Sequence, residues 1–258
     1  MGQSLKIPSL FARPLLPILR FLFRLWRKLN RECNPRQWSN DELKKFAGLF
    51  HGDVINVSAG EDEDKEGGRY QGYFNKASSY TTSNYEKNQK DRGSTKFVGL
   101  DLSSPLPLES DLTLRFDVVF SHTVLEHIYE LETAIGNLCR MTRDIVITVV
   151  PFIQAFHHDE ESYDDFWRIS PYAIVQLFNN YNLKTIYLNW NNDPFGNIYL
   201  FHVASKYPEN WENIITMQEY LLDQAGPGYY HQLILSNIKF TNKIPSGKIG
   251  AFLFKRRE

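Results

Sequence analysis

Two apolar runs limit what this chain can fold into. "FDVVFS" (116–121) and "DIVITVV" (144–150) are apolar at nearly every successive position. A half-exposed strand alternates apolar with polar side chains, so a strand without that alternation is covered on both faces. Residues 122–142, between them, have the length and spacing of a helix. Strand, helix, strand is the crossover unit of a parallel sheet.

The pattern continues in both directions. Upstream, "DVINVS" (53–58), "SSYTTSNY" (78–85) and "KFVGLDL" (96–102) read as strands, and residues 34–53 as a turn and a helix capped by Ser39 or Asn40. Downstream, "PYAIVQLFNNY" is a helix with proline in its first turn, and "LKTIYLNW" and "NIYLFHVASK" are the last strands. No convincing helix joins that final pair, so they form a hairpin. The expectation is an α/β, Rossmann-like, mostly parallel sheet with helices on both faces and an antiparallel hairpin at one edge. Ligands of such sheets bind at the carboxyl ends of the strands. Those ends are Ser58 to Glu61, Ser83 to Tyr85, Asp101 and Leu102, Ser121 and His122, and the segment from Pro151.

Composition narrows the function. Of the 258 residues, 42% are hydrophobic, enough for a core, and the net charge of −1 gives no global field for nucleic acid. The two cysteines, Cys33 and Cys139, lie far apart, without a CxxC or zinc-ligand spacing, which points to a reducing, cytoplasmic setting. The charge is uneven. Residues 1–31 hold Lys6, Arg13, Arg20, Arg24, Arg27, Lys28 and Arg31 and no acid. The last four arginines fall on one helical face, opposite Leu, Phe and Trp. Two readings stand: an amphipathic helix that touches a membrane surface through 15–31, or a core-packing helix with a solvated basic side. The expected division is an N-terminal extension (1–38), a catalytic domain (39–206) and a C-terminal extension packing on it (207–258).

One stretch asks for a particular ligand. "DVINVSAGEDEDKEG" (53–67) ends a strand in Ser-Ala-Gly and then presents Glu61, Asp62, Glu63 and Asp64. The glycines of a dinucleotide fingerprint and of a P-loop are missing, and carboxylates repel phosphate. A nicotinamide-dependent oxidoreductase is disfavoured on this ground. S-adenosylmethionine has no phosphate and carries a cationic sulfonium and an ammonium, which acids attract. The bland reading of Asp62, Glu63 and Asp64 is a solvated loop. Glu61, directly after the turn, is the exception.

The order "DVINVSAG", "FVGLDLSSPLP", "FDVVFSHTVLEHI", "DIVITVVPF" resembles a class I S-adenosylmethionine-dependent methyltransferase of the small-molecule type with an LEH signature, over roughly residues 45–205. The resemblance implies that Ser58, Ala59 and Gly60 line the methionine part of the cofactor, and Glu61, next in the chain, is a further cofactor-binding candidate. The resemblance places Asn84 where the family often has a ribose-binding acid, Asp101 and Leu102 near the adenine, and Ser121 and His122 near the methyl group. Glu126 and His127 carry the signature. The first motif departs from the family: Asn56 replaces its acid, Ser58 its first glycine, and Glu61 and Asp62 its closing residues. Either the loop is divergent and working, or the chain is a non-catalytic binding or scaffold protein of the same fold.

Methyl transfer is a displacement that depends on positioning, and a hydroxyl acceptor needs a base. "PFIQAFHHDEESYDDFWR" follows a strand end and offers His157, His158 and Asp164 for proton handling. Trp167 and Arg168 are read as anchoring the segment or orienting substrate, and the expected acceptor is a small molecule or glycan methylated at oxygen.

Overall fold

The structure is a computed structural model. It describes residues 25, 30–85, 96–157, 163–191, 193 and 197–215. The basic N-terminal stretch lies outside the described residues except for Leu25, Asn30 and Arg31, as do His158 and residues 216–258 of the expected C-terminal extension.

Seven strands form one sheet in the order β3-β2-β1-β4-β5-β7-β6. They are β1 (Gly52–Val57), β2 (Ala77–Asn84), β3 (Lys96–Gly99), β4 (Phe116–His122), β5 (Thr142–Ile153), β6 (Lys184–Trp190) and β7 (Ile198–Ser205). The run β3-β2-β1-β4-β5 is parallel, and β7 pairs antiparallel with both β5 and β6. This is the doubly wound Rossmann order with an antiparallel strand slotted before the last one. The mixed sheet and its edge hairpin agree with the sequence. The topological switch lies between β1 and β4, and the cleft opens there.

Helix α1 (Pro35–Ala47) covers one face, and α2 (Leu131–Met141) and α3 (Pro171–Asn179) cover the other. Alternation along β4 sorts the core. Val118 and Phe120 pack with Trp38, Leu43 and Phe46 of α1, whereas Val119 packs with Ile135 and Leu138 of α2. Trp211 and Ile215, beyond β7, join the α1 side.

Two local expectations change. The cap of α1 is Asn34, whose side chain accepts from the N–H groups of Arg36 and Gln37 ahead of Pro35 at the first turn. Ser39 and Asn40 are buried inside the helix instead. Residues 122–142 are not one helix. Thr123 has φ 52°, Leu125–His127 form a 3₁₀ turn, and the α-helix begins at Leu131. The Glu126 carbonyl, which a continuous helix would use, accepts from the N–H groups of Phe166 (2.8 Å) and Trp167 (3.2 Å).

Candidate active site

A cleft of about 870 Å³ opens at the carboxyl ends of β1 to β4. Ser58, Gly60, Asn84, Asp101 and Leu102 line it, as the sequence predicts. Tyr85, Leu100, Ser103, Thr123, Val124, His127, Ile128, Tyr129, Glu130, Tyr163 and Phe166 complete the lining. Its volume is that of a site for a small molecule or cofactor.

The turn after β1 keeps a left-handed backbone at a serine as well as at a glycine. Ser58 has φ 53° and Gly60 φ 58°, both left-handed. A side chain at Gly60 would meet no atom, so its backbone faces open space. The turn is tied to β2: Ser58 N–H donates to Ser83 Oγ (3.3 Å), and Ala59 N–H donates to the Ser83 carbonyl (2.9 Å). Gly60 and Asn84 exchange two further bonds.

The acids that follow divide by direction. Asp62 and Asp64 are buried and face inward. Asp62 accepts from Asn56 Nδ2 (2.8 Å), the Tyr80 hydroxyl (2.7 Å) and the Gln71 N–H (3.0 Å). Asp64 accepts from the N–H groups of Glu66 (2.8 Å) and Gly68 (2.9 Å) and the Tyr73 hydroxyl (2.9 Å). These carboxylates bind the loop to itself, so neither a ligand nor solvent claims them. Asn56, which replaces the family's acid, holds the loop through Asp62. Glu61 and Glu63 are exposed, and neither Glu61 nor Ala59 lines the cleft. Asp101 lines it, but its carboxylate accepts from Ser103 N–H (2.9 Å), Ser103 Oγ (2.6 Å) and Ser104 Oγ (2.8 Å). Those bonds hold it below the usual carboxylate range. Asn137 of α2 fixes the rest of that loop, donating to the carbonyls of Leu102 (3.2 Å) and Ser104 (2.9 Å) and accepting from Leu106 N–H (2.9 Å).

Ser121 and His122 do not enter the cleft lining. His122 shares its sheet face with Phe120, so it turns toward α1. Arg36 Nη1 donates to His122 Nδ1 (2.9 Å), and Ser39 Oγ lies 2.8 Å from His122 Nε2. With Nδ1 accepting, Nε2 carries the proton and donates to Ser39. Full burial, with Arg36 adding to it, pushes the imidazole well below its ordinary pKa. Arg36 also donates to Thr123 Oγ1 (3.1 Å), which links α1 to the cleft wall. Ser121 is buried, and its hydroxyl has no hydrogen-bond partner among the described residues.

The segment after β5 assembles beside the cleft. His127 Nδ1 lies 2.6 Å from the Asp164 carbonyl, so Nδ1 carries the proton and Nε2 keeps a lone pair. Asp164 takes part through its backbone; its side chain is exposed. The His127 ring lies 5.2 Å from that of His157 and 4.4 Å from that of Tyr163, between centroids. Asp165, paired bidentately with Arg168 at 2.6 Å on each side, accepts from the His157 N–H (2.7 Å). The guanidinium holds Asp165 at about 2. Arg168 is thereby committed to Asp165 and to the carbonyls of Gln154 and Ala155, and Trp167 donates to the Ile128 carbonyl (2.9 Å) while packing on the core. Both anchor the segment. Glu126 is 0% exposed, and neither carboxylate oxygen has a hydrogen-bond partner. Burial raises its pKa to about 8.

Residues that the sequence singled out at the ends of β1 to β4 line this cleft, as does Tyr163 of the segment after β5; Tyr129 and Phe166, which stand beside Tyr163, were not singled out. Those rings sit in loops whose packing no periodicity announces.

No family model and no curated protein matches the chain. Solved structures do. A Burkholderia thailandensis 1,6-didemethyltoxoflavin-N1-methyltransferase with bound S-adenosylhomocysteine is 16% identical, covering 80% of this chain and 93% of its own, at a TM-score of 0.48. Magnesium protoporphyrin IX methyltransferase from Synechocystis PCC 6803 is 12% identical over 66% and 83%, at 0.44. The [4+2]-cyclase SpnF is also 12% identical, over 66% and 83%, at 0.47. The likeness is one of Rossmann-like architecture. Shared architecture does not fix a reaction. Among the described residues, no helix is long and apolar enough to cross a membrane.

Proposed function

We propose that the chain is an S-adenosylmethionine-dependent methyltransferase that methylates an oxygen of a small molecule or glycan. The observation that carries this reading is the cleft at the switch point, lined by Ser58, Gly60, Asn84, Asp101 and Leu102, with a histidine cluster at its side. The residues fit the cofactor. The turn leaves the Gly60 backbone open, and the acids that would crowd it, Asp62 and Asp64, face inward.

The cofactor supplies a methyl group activated by a cationic sulfur. The chain's own residues do the rest. Ser58 and Gly60 shape the turn against the methionine part, and the Asp101 loop closes the adenine side. Tyr129, Tyr163 and Phe166 exclude water and pack against an acceptor. His127 Nε2, whose lone pair the Asp164 carbonyl preserves, receives the acceptor's proton, and His157 stands beside it.

A second reading has its own support. The Asn84 amide is tied to Gly60 and the Asp101 carboxylate to Ser103 and Ser104, so two polar groups at the cleft are already occupied. This favours a non-catalytic binding protein of the same fold. Calorimetric titration with S-adenosylmethionine and S-adenosylhomocysteine separates the readings. The first expects micromolar binding of both; a folded sample that binds neither leaves the second.

A further inference from the structure

We propose that Glu126, His127 and one ring nitrogen of His157 form a binding site for a divalent transition-metal ion of the zinc type. One candidate ligand atom from each residue lies within 4.8 Å of the others, and His127 Nε2 is 3.8 Å from Glu126 Oε1.

Each donor is prepared in a way that packing alone does not require. The Glu126 carboxyl is wholly buried, without a hydrogen-bond partner among the described residues. Leaving such a group unpaired is costly, and a cation relieves that cost. The bond from His127 Nδ1–H to the Asp164 carbonyl fixes the tautomer and aims the lone pair of Nε2 toward Glu126. A metal-binding histidine is commonly oriented by such a bond from its other ring nitrogen. His157 is held through its backbone N–H by Asp165, and its Nδ1 lies 3.3 Å from Asp165 Oδ2. Arg168 neutralises Asp165, so that carboxylate orients His157 and is not counted as a ligand.

The donor set selects the ion. Two imidazoles and one carboxylate suit zinc and its first-row neighbours. Calcium and magnesium favour oxygen ligands. Tetrahedral bonds of ~2.0–2.1 Å put ligand atoms roughly 3.3 Å apart, so small side-chain rotations would close the set. Three protein ligands leave a position open, and His127 borders the cleft. An ion here takes the His127 Nε2 lone pair that the metal-free chain offers to an acceptor's proton, so the two uses of that nitrogen exclude each other; metal binding is measured without S-adenosylmethionine, and its failure leaves the methyltransferase reading standing.

The test is titration of the tag-free, chelator-treated full chain with Co²⁺, followed by visible absorption. The expected result is saturation at one ion per chain, with absorption bands that Zn²⁺ abolishes by competition. His127→Gln and His157→Gln each weaken binding by ~10-fold or more, and His51→Gln, at an exposed loop outside the cluster, leaves it unchanged. Glu126→Gln keeps the buried shape and also weakens binding. Each variant is compared after its circular dichroism matches the parent; His157, partly exposed, is the one whose replacement leaves the core intact. A parent chain without saturable Co²⁺ absorption overturns the proposal. So does equal affinity in the parent and in His157→Gln.

Discussion

Gly60 and Asn84 bind each other's amides. Gly60 N–H donates to Asn84 Oδ1 at 2.8 Å, and Asn84 Nδ2 donates to the Gly60 carbonyl at 3.2 Å. The turn after β1 and the end of β2 therefore move as one unit. Asn84→Ala removes both bonds at a partly exposed position, so its cost in stability is ~1 kcal/mol. Its effect on the ligand is larger, because the cleft wall loses its shape. Calorimetry with S-adenosylhomocysteine is expected to show ~10-fold weaker binding, which corresponds to ~1.4 kcal/mol, alongside a small shift in the urea midpoint. Unchanged affinity would mean that Ser83 alone holds the turn.

Ser58 carries a different strain. Its φ of 53° is left-handed, where an L side chain costs ~1–2 kcal/mol and glycine little. Ser58→Gly removes the Cβ from that left-handed position. The expected outcome is a gain of ~0.5–1 kcal/mol, offset in part by the freer unfolded chain. Ser58→Ala, which keeps a Cβ, is expected to show no such gain. Urea unfolding at constant m value reads both.

His202 makes the fold sensitive to acid. It is fully buried in β7, with Nε2 2.9 Å from Thr185 Oγ1, and it packs against the Phe178 ring. Burial pushes its pKa down to about 3, whereas an exposed histidine titrates near ~6.5. Between those values the unfolded chain takes a proton that the folded chain refuses. Stability from this residue is full above pH ~6.5 and falls as pH drops toward 3, by about 1.4 kcal/mol per unit. His122, also buried and depressed, acts in the same direction. Urea midpoints measured from pH 7 to pH 4 are expected to fall steeply in the parent and less steeply in His202→Gln. Parallel slopes would remove His202 from the account.

The strands were legible because burial on both faces writes itself into composition, as in 116–121 and 144–150. The positions of Ser58, Gly60, Asn84, Asp101 and Leu102 followed from the rule that ligands meet strand ends. Direction was less legible. His122 follows Phe120 by two residues and turns toward α1, and nothing in "FSH" says which face α1 covers. Asp62 and Asp64 look like solvent-facing charge until the loop folds back and brings Asn56, Tyr73 and Tyr80, six to eighteen residues away, against them. The helix expected from residue 122 failed for a similar reason. Its spacing is helical, but the Glu126 carbonyl finds its partners in Phe166 and Trp167, about forty residues later.

The placement of β7 sets an order on how the sheet is finished. Every residue of β7 is buried, and the strand fills the gap between β5 and β6, although it leaves the ribosome after both. Until Ser205 has emerged, β5 has an unpaired edge made of Val146, Val149 and Val150, and such an edge recruits other chains. The nascent protein is therefore most exposed to aggregation just before β7 emerges, when most of the sheet already exists.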